Sequence, residues 1–370
     1  MGLFMDGSRK HSDVTYLSIA EATSEHPRND SASIVELVGG ELFVVWIEMH
    51  ESKWGGNDEA PASIASMRST DGGLTWSDYR IEVSPLSGDR SVYNPSLVLL
   101  SDETLLFFYL KYHRLVWNQP LESSGFIKRS LDGGRTWTEA KAIWDHQPYG
   151  CANDTFTLLS DGRLLKSCEY LPIWGSYPDC TSSSGCFISD DDGESWKISE
   201  NMVTLPLRGT MENHIAETRT GNLLMVLRNQ LGSAFFSRSV DRGLNWTHPQ
   251  SSGLSSSESM PSLTNIPSTE DILLVWNNAP YDHTYDHSGK RTPLSLAISR
   301  DEGATWINKK DIEDDPTFEF SNVSCTHLSG ERLIISYFTS KMLEDSHPGK
   351  LGRDRMSLKA AKTTVEWLYK

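Results

Sequence analysis

None of the five cysteines (Cys151, Cys168, Cys180, Cys186, Cys325) falls in a C-x-x-C pair, and their odd number argues against a closed disulfide framework. A reducing compartment is the expectation that follows. Apolar runs are short. None approaches the ~20 residues that carry a helix across a bilayer, so no membrane span is expected. Positive charge is scarce: 34 Lys and Arg stand against 50 Asp and Glu, for a formal net charge of −16. A phosphate backbone wants a basic face, so nucleic acid is excluded as the expected partner. The opening MGLFMDGSRKHSD has no apolar core followed by a small-residue cleavage site. Read as it stands it is no secretion signal, and a cytoplasmic location is expected unless a leader has been removed. Helical periodicity is weak along the whole chain.

What the chain has instead is repetition. The frame S-x-D-x-G-x-x-W occurs as STDGGLTW (69–76), SLDGGRTW (130–137), SDDDGESW (189–196), SVDRGLNW (239–246) and SRDEGATW (299–306). Its Asp residues stand at 71, 132, 191, 241 and 301, in steps of 61, 59, 50 and 60. A second signal shares the period, an apolar run after a tight turn. It appears in LVGGELFVVW (37–46), LLSDETLLFFY (99–109), LLSDGRLLKS (158–167), TRTGNLLMVL (218–227), IPSTEDILLVW (266–276) and HLSGERLIISY (327–337). Each reads as a hairpin. About sixty residues per unit suits a four-stranded blade, and six units predict an all-β, six-bladed propeller spanning 1–370 as one domain. The last unit lacks the Asp frame and is a strand short, so VTYLSIA (14–20) is expected to complete it and close the ring. In the frame, Asp and Ser serve neighbouring backbone groups, Gly supplies a positive φ, and Trp wedges between blades. These acids are read as scaffold.

The innermost strand of each blade lines the channel. Counting back from the hairpins gives the windows RNDSA (28–32), SVYNP (91–95), GCAND (150–154), GTMEN (209–213), ESMPS (258–262) and EFSNV (319–323). Arg28, Asp30, Tyr93, Asn94, Asn153, Asp154, Glu212, Glu258, Glu319 and Asn322 would converge on the axis.

These repeats on a six-bladed propeller resemble the sialidase (neuraminidase) superfamily. ENHIAETRTGNLLMVLR (212–228) is similar to that family's stretch in which a catalytic Glu precedes an Arg of the substrate-binding triad by about sixteen residues. Arg291, in KRTPLSLAISRDEGATW, stands where another triad Arg belongs, 63 residues after Arg228. The resemblance implies a carboxylate-binding triad of Arg28, Arg228 and Arg291, although strict register places Asp30 at the first Arg position and Arg28 two residues away. It also implies an acid/base Asp in a loop of the first blade, for which Asp58 is the candidate and Glu59 the fallback. Guanidinium forks suit the carboxylate of a sialic acid. His214, by strand alternation, should share the face of Glu212.

One departure stands out. The family uses a Tyr nucleophile on the first strand of the last blade, and here that strand reads FEFSNVSCTHL (318–328), with Ser321 or Asn322 in its place. Tyr93, Tyr281 and Tyr285 are the tyrosines able to approach from elsewhere. Asp282, His283, Asp286 and His287 are of ligand type but fit no established metal spacing, so no metal and no cofactor is expected. Two functions follow. One is a sialidase-like exo-glycoside hydrolase acting on a terminal acidic sugar, with Glu212 and Asp58 as its carboxyl pair and an inverting path in the absence of the Tyr. The other is a catalytically inactive propeller that binds anionic glycans. The partner expected in either case is a glycan or small acidic sugar, contacted by Arg28, Asp30, Tyr93, Asn153, Asp154, His214, Arg228, Arg291 and Asn322.

Overall fold

A computed structural model describes residues 11–52, 58–175, 178, 180–285, 287–343 and 355–370. Among the described residues, six antiparallel blade sheets follow one another along the chain, with a two-stranded sheet, Gln119–Pro120 against Ile173–Trp174, beside them. Blade one runs Arg28–Glu36, Leu42–Met49, Ala62–Ser69 and Ser77–Val83 from the inside outward. Blade two runs Ser91–Leu99, Leu105–Arg114, Glu122–Ser130 and Lys141–Gln147. Blade three has an interrupted inner edge, with Tyr149–Gly150 and Phe156–Leu158 both pairing with Leu164–Tyr170. Blades four and five begin at Met211–Glu217 and Ser262–Asn265. Blade six is made from both ends of the chain: Phe318–Leu328, Arg332–Lys341, Ser357–Thr364 and, outermost, Thr15–Ala20. The last two pair antiparallel, from Thr15 opposite Lys362 to Ala20 opposite Leu358.

The S-x-D-x-G-x-x-W frames sit at the turn between third and fourth strands and repeat one hydrogen-bond pattern. In the first, Ser69 Oγ donates to Asp71 Oδ1 (2.8 Å) and accepts from Gly73 N (2.8 Å). Asp71 also accepts from Thr75 N (2.9 Å) and Thr75 Oγ1 (2.6 Å). These donors hold the carboxylate's pKa down at about 2, with the Thr75 hydroxyl the largest cause. The tryptophans then tie blade to blade. Trp306, in the frame of blade five, stacks on Phe236 of blade four at 5.3 Å. Trp137, from blade two, lies 6.4 Å from Phe43 of blade one.

Blade six has no frame, and a short helix, Val365–Tyr369, supplies the wedge instead. Its Trp367 is buried in the cluster formed by Leu273, Leu296 and Ile312 of blade five with Val323 and Leu333 of blade six. The five cysteines are buried and unpaired. Among the described residues, no helix is long and apolar enough to cross a membrane.

Five inner strands share a feature that alternation does not anticipate. Each carries one residue with positive φ: Ser31 (54°), Asn94 (51°), Asp154 (51°), Glu212 (42°) and Asn322 (53°). In four of them the pairing register shifts at that point, between Asp30 and Ser33, Tyr93 and Ser96, Met211 and His214, and Ser321 and Ser324. These are bulges, one extra residue each, and they turn side chains on either side of them toward opposite mouths of the channel.

Removal of residues 11–20 leaves Ser357–Thr364 as an unpaired edge at the ring's seam. The truncated chain is expected to melt at a lower temperature and to aggregate, as read by thermal unfolding and size-exclusion chromatography. A truncated chain that stays soluble with an unchanged melting temperature would show that the seam strand is dispensable.

Candidate functional site

Above the bulges lies a pocket of about 490 Å³, its open mouth included, lined among others by Arg28, Asp58, Tyr93, Asn153, Glu169, Glu212 and Asn322. Arg28 opens the inner strand of blade one and is buried, yet its guanidinium is fully engaged with carboxylates. Nε donates to Asp30 Oδ2 (2.8 Å) and Nη1 to Asp58 Oδ1 (2.7 Å). Asp30 also accepts from Asn322 Nδ2 (2.9 Å). Its partner Asp58 differs from Asp30 in one respect: the Asp58 side chain is 47% exposed, that of Asp30 wholly buried. Tyr93 donates its hydroxyl to the backbone carbonyl of Asp58 (2.9 Å). Burial, together with the Asp58 carboxylate, pushes its pKa well above that of a free phenol.

Across the pocket, Glu212 sits at the bulge of blade four. Its left-handed backbone costs a non-glycine residue about 1–3 kcal/mol. Two contacts hold it there: its N–H donates to Glu169 Oε2 (2.7 Å), and its carboxylate accepts from Arg228 Nη1. Arg228 lies further back, 3.7 Å from Glu258 and 3.4 Å from His287 Nδ1. Glu258 is buried and gathers Arg208 Nη1 (3.0 Å) and Gln230 Nε2 (3.0 Å) as well. His287 and the two arginines hold its pKa far below the usual carboxylate range, against the opposing effect of burial.

Glu169 is the exception. Among the described residues no cation lies within ion-pair distance of it, and burial and the neighbouring Glu212 charge push its pKa up to about 7. Gly150 makes room for it: a Cβ there would stand 2.6 Å from Glu169 Oε1.

The BNR repeat-like domain matches residues 40–330. The chain belongs to that family. It is 25% identical to a Bacteroides fragilis (strain YCH46) protein named "Sialidase" over 310 residues, 75% of this chain and 54% of the relative. The chain thus spans about half the length of that curated relative. A Hadza microbial sialidase superposes with a TM-score of 0.72 at 20% identity, covering 95% of this chain and 69% of the other. A protein of unknown function from Dyadobacter fermentans DSM 18053 superposes at 0.71 with 19% identity, over 96% of this chain and all of the other. The NanB sialidase of Streptococcus pneumoniae gives 0.70 at 13% identity, over 93% and 70%. This BNR-repeat protein is sialidase-like in its propeller.

The bulges correct two expectations. His214 does not share the face of Glu212, because the register shift between Met211 and His214 reverses the alternation. It lines a second cavity of about 800 Å³, open solvent included, together with Asp154, Thr157, Thr326 and His327. There, burial lowers its pKa to about 3. Asp154 is on the axis as expected but not at the pocket, where it accepts from Ser33 Oγ (2.6 Å) and Ser324 Oγ (2.6 Å). Asn153 faces the pocket and donates to the Ala32 carbonyl (2.6 Å), and Asn94 donates to that of Cys151.

Arg291 is buried, and its carbonyl accepts from Phe320 N (2.9 Å) beside the inner strand of blade six. Tyr281 is half-exposed and packs on Gly232, and neither it nor Tyr285 lines the pocket. In the acid- and histidine-rich loop, Asp282 caps Thr284 (2.9 Å) and His287 turns to Glu258, while Asp286 lies outside the described residues.

Two site residues escaped the sequence reading. Glu169 left a trace in LLKSCEY, whose Lys and Glu interrupt what should be a core strand. Arg208 sits in a loop with no periodicity to mark it.

A group whose folded pKa is raised gives stability that is complete below its unfolded pKa and is lost as pH rises through the folded value. For Glu169 the window runs from about 4.5 to about 7. Glu169→Gln, which still accepts the Glu212 N–H, is expected to gain stability relative to wild type between pH 5 and pH 8 in chemical denaturation. A difference independent of pH would mean that Glu169 is ionised throughout.

Proposed function

We propose that this protein is a glycoside hydrolase that releases a terminal acidic sugar, sialic acid being the first candidate because its relatives carry the name sialidase. The observation that carries the reading is one pocket lined by Arg28, Asp58 and Glu212. Arg28 donates to Asp30 and to Asp58, so an anionic sugar that takes the Arg28 fork must displace one of them. Asp58 is the one that can leave, being half-exposed and on a loop. The sugar's carboxylate then takes its place on the Arg28 fork. Freed of its cation and facing a second carboxylate, Asp58 gains proton affinity and becomes a general acid for the leaving oxygen. Glu169, its pKa raised to about 7, carries only part of a charge at neutral pH and so repels an anionic ligand less than an ordinary carboxylate does.

Glu212, ion-paired to Arg228, serves as general base toward a water. Asn322 occupies the strand where the family places its tyrosine, and Tyr93, whose pKa is driven upward, is poorly suited to act as nucleophile. Direct attack by water inverts the anomeric centre and requires carboxyls roughly 6.5–9.5 Å apart. Asn322 also favours a second reading, in which the same arginines hold an anionic glycan without cleaving it.

A hydrolysis screen over sialosides and uronides decides between them. Turnover abolished in Glu212→Gln is expected, with proton NMR of the first-formed product showing inversion. Full activity in Glu212→Gln removes the mechanism, and binding without turnover on every substrate selects the second reading. Asp58→Asn should lose the alkaline limb of the pH–rate profile and retain more activity on aryl glycosides, whose leaving groups need less protonation. Arg28→Ala should weaken binding of an acidic sugar by about 1.5–3 kcal/mol, the scale of a charged hydrogen bond, and calorimetry with a neutral sugar as control reads the difference.

A further inference from the structure

Blade two carries a cluster that the sugar pocket does not use. His113, near the end of Leu105–Arg114, and His146, on Lys141–Gln147, stack their imidazoles at 4.2 Å and 11°. Together with Asp145 they bring ligand-type atoms within 4.8 Å of one another. His146 Nδ1 donates to Glu122 Oε1 (2.5 Å), and Asp89 Oδ1 lies 3.3 Å from His113 Nδ1. Both rings thus have a carboxylate on Nδ1 and leave Nε2 for the cluster. A carboxylate on the far nitrogen is the arrangement that orients an imidazole toward a metal and raises its basicity.

Ser124 connects the remaining atoms. Its Oγ stands 2.6 Å from Asp145 Oδ1 and 2.8 Å from His113 Nε2, and it accepts the His146 backbone N–H (3.0 Å). One hydroxyl hydrogen cannot serve both the carboxylate and the imidazole. With Nδ1–H directed at Asp89, the Nε2 lone pair of His113 is met by Ser124 Oγ, whose hydrogen goes to Asp145, and a cation that displaces Ser124 can take that lone pair. Three carboxylates, Asp89, Glu122 and Asp145, surround the rings, and among the described residues only Lys111 (2.9 Å from Asp89) and Arg114 (3.7 Å from Glu122) offset them. His146 also holds a left-handed φ of 49°, a strained backbone of the kind that collects at functional positions.

We propose that His113 Nε2, His146 Nε2 and Asp145 Oδ1 form a binding site for a divalent transition-metal ion of the zinc class. Two imidazole nitrogens and one carboxylate select that class over calcium and magnesium, which take oxygen ligands. Ligand bonds of about 2.0–2.1 Å place tetrahedral donor atoms about 3.3 Å apart. The rings stack in nearly parallel planes, so closure also needs one of them to turn until both Nε2 lone pairs meet, and this falls to His146 and Asp145, whose side chains are 57% and 64% exposed. The fourth position opens to solvent. The ion would join the second and outermost strands of blade two beside Tyr112 and Leu115, which line the sugar pocket.

Chelator-treated protein titrated with zinc chloride by calorimetry should take up one ion per chain that His146→Gly does not take up. Glycine suits the left-handed backbone, and near-UV circular dichroism checks that the variant is folded. Glu122→Gln, which leaves all three ligands in place, should weaken binding about 10–100-fold. Cobalt(II) should give the visible absorption of a nitrogen- and oxygen-ligated ion in wild type and lose it in His113→Ala. Zinc uptake that is equal in wild type and His146→Gly overturns the proposal, as does calcium binding as tightly as zinc.

Discussion

The pairing of Thr15–Ala20 with Ser357–Thr364 joins residues some 340 positions apart, and the closure of the ring depends on it. Blades arranged radially have apolar faces on both sides, so each must find a neighbour. Frame tryptophans meet this need from blade to blade, and Trp367 on the C-terminal helix meets it between blades five and six. Only with the ring closed do the inner strands face one another across an axis. Asp154 then reaches serines from blades one and six together, a three-blade contact that no pair of neighbouring blades could make.

Charge at the site is organised by the cost of burial. Arg28, Arg208 and Arg228 are buried, and a buried guanidinium without a partner is costly, so carboxylates accompany each of them. Asp30 and Glu258 are permanent partners, locked by further hydrogen bonds. Asp58 and Glu212 are more exposed and are the members of the pairs that a ligand can reach. Glu169 shows the opposite outcome: a buried carboxyl with no cation within ion-pair range among the described residues holds its proton more tightly, with its pKa raised to about 7. Its proton affinity is set by burial and by its neighbours.

The inner-strand bulges connect the fold to the site. An unbroken strand would send Glu212 and His214 to the same side, which is how alternation reads them. One added residue at a left-handed φ separates them, giving Glu212 to the pocket and His214 to the opposite cavity. Asparagine and aspartate tolerate that backbone well, which suits them to Asn94, Asp154 and Asn322. Glu212 does not share the tolerance, and its hold by Glu169 and Arg228 makes up the difference.

How much was legible follows from the range of each interaction. The frame, its hydrogen bonds and the hairpin turns are local, acting over four to eight residues, so five near-identical copies and six apolar runs were enough to read blades, their number and the seam strand. Arg28, Asp58, Tyr93 and Glu212 were legible as candidates because they sit at fixed offsets from those local marks. Glu169 and Arg208 have their reasons in other blades, in the charge of Glu212 and the burial of Glu258, and no spacing along the chain records that. The same holds for His113, Asp145 and His146, brought together by strand pairing across 33 residues, and for His214, turned away by a bulge. The sequence alone determined the architecture, since hydrogen-bonded turns and apolar period are properties of short segments. Tertiary structure decided which polar groups meet and which of them keep a proton, because burial and charge proximity exist only once the ring is closed.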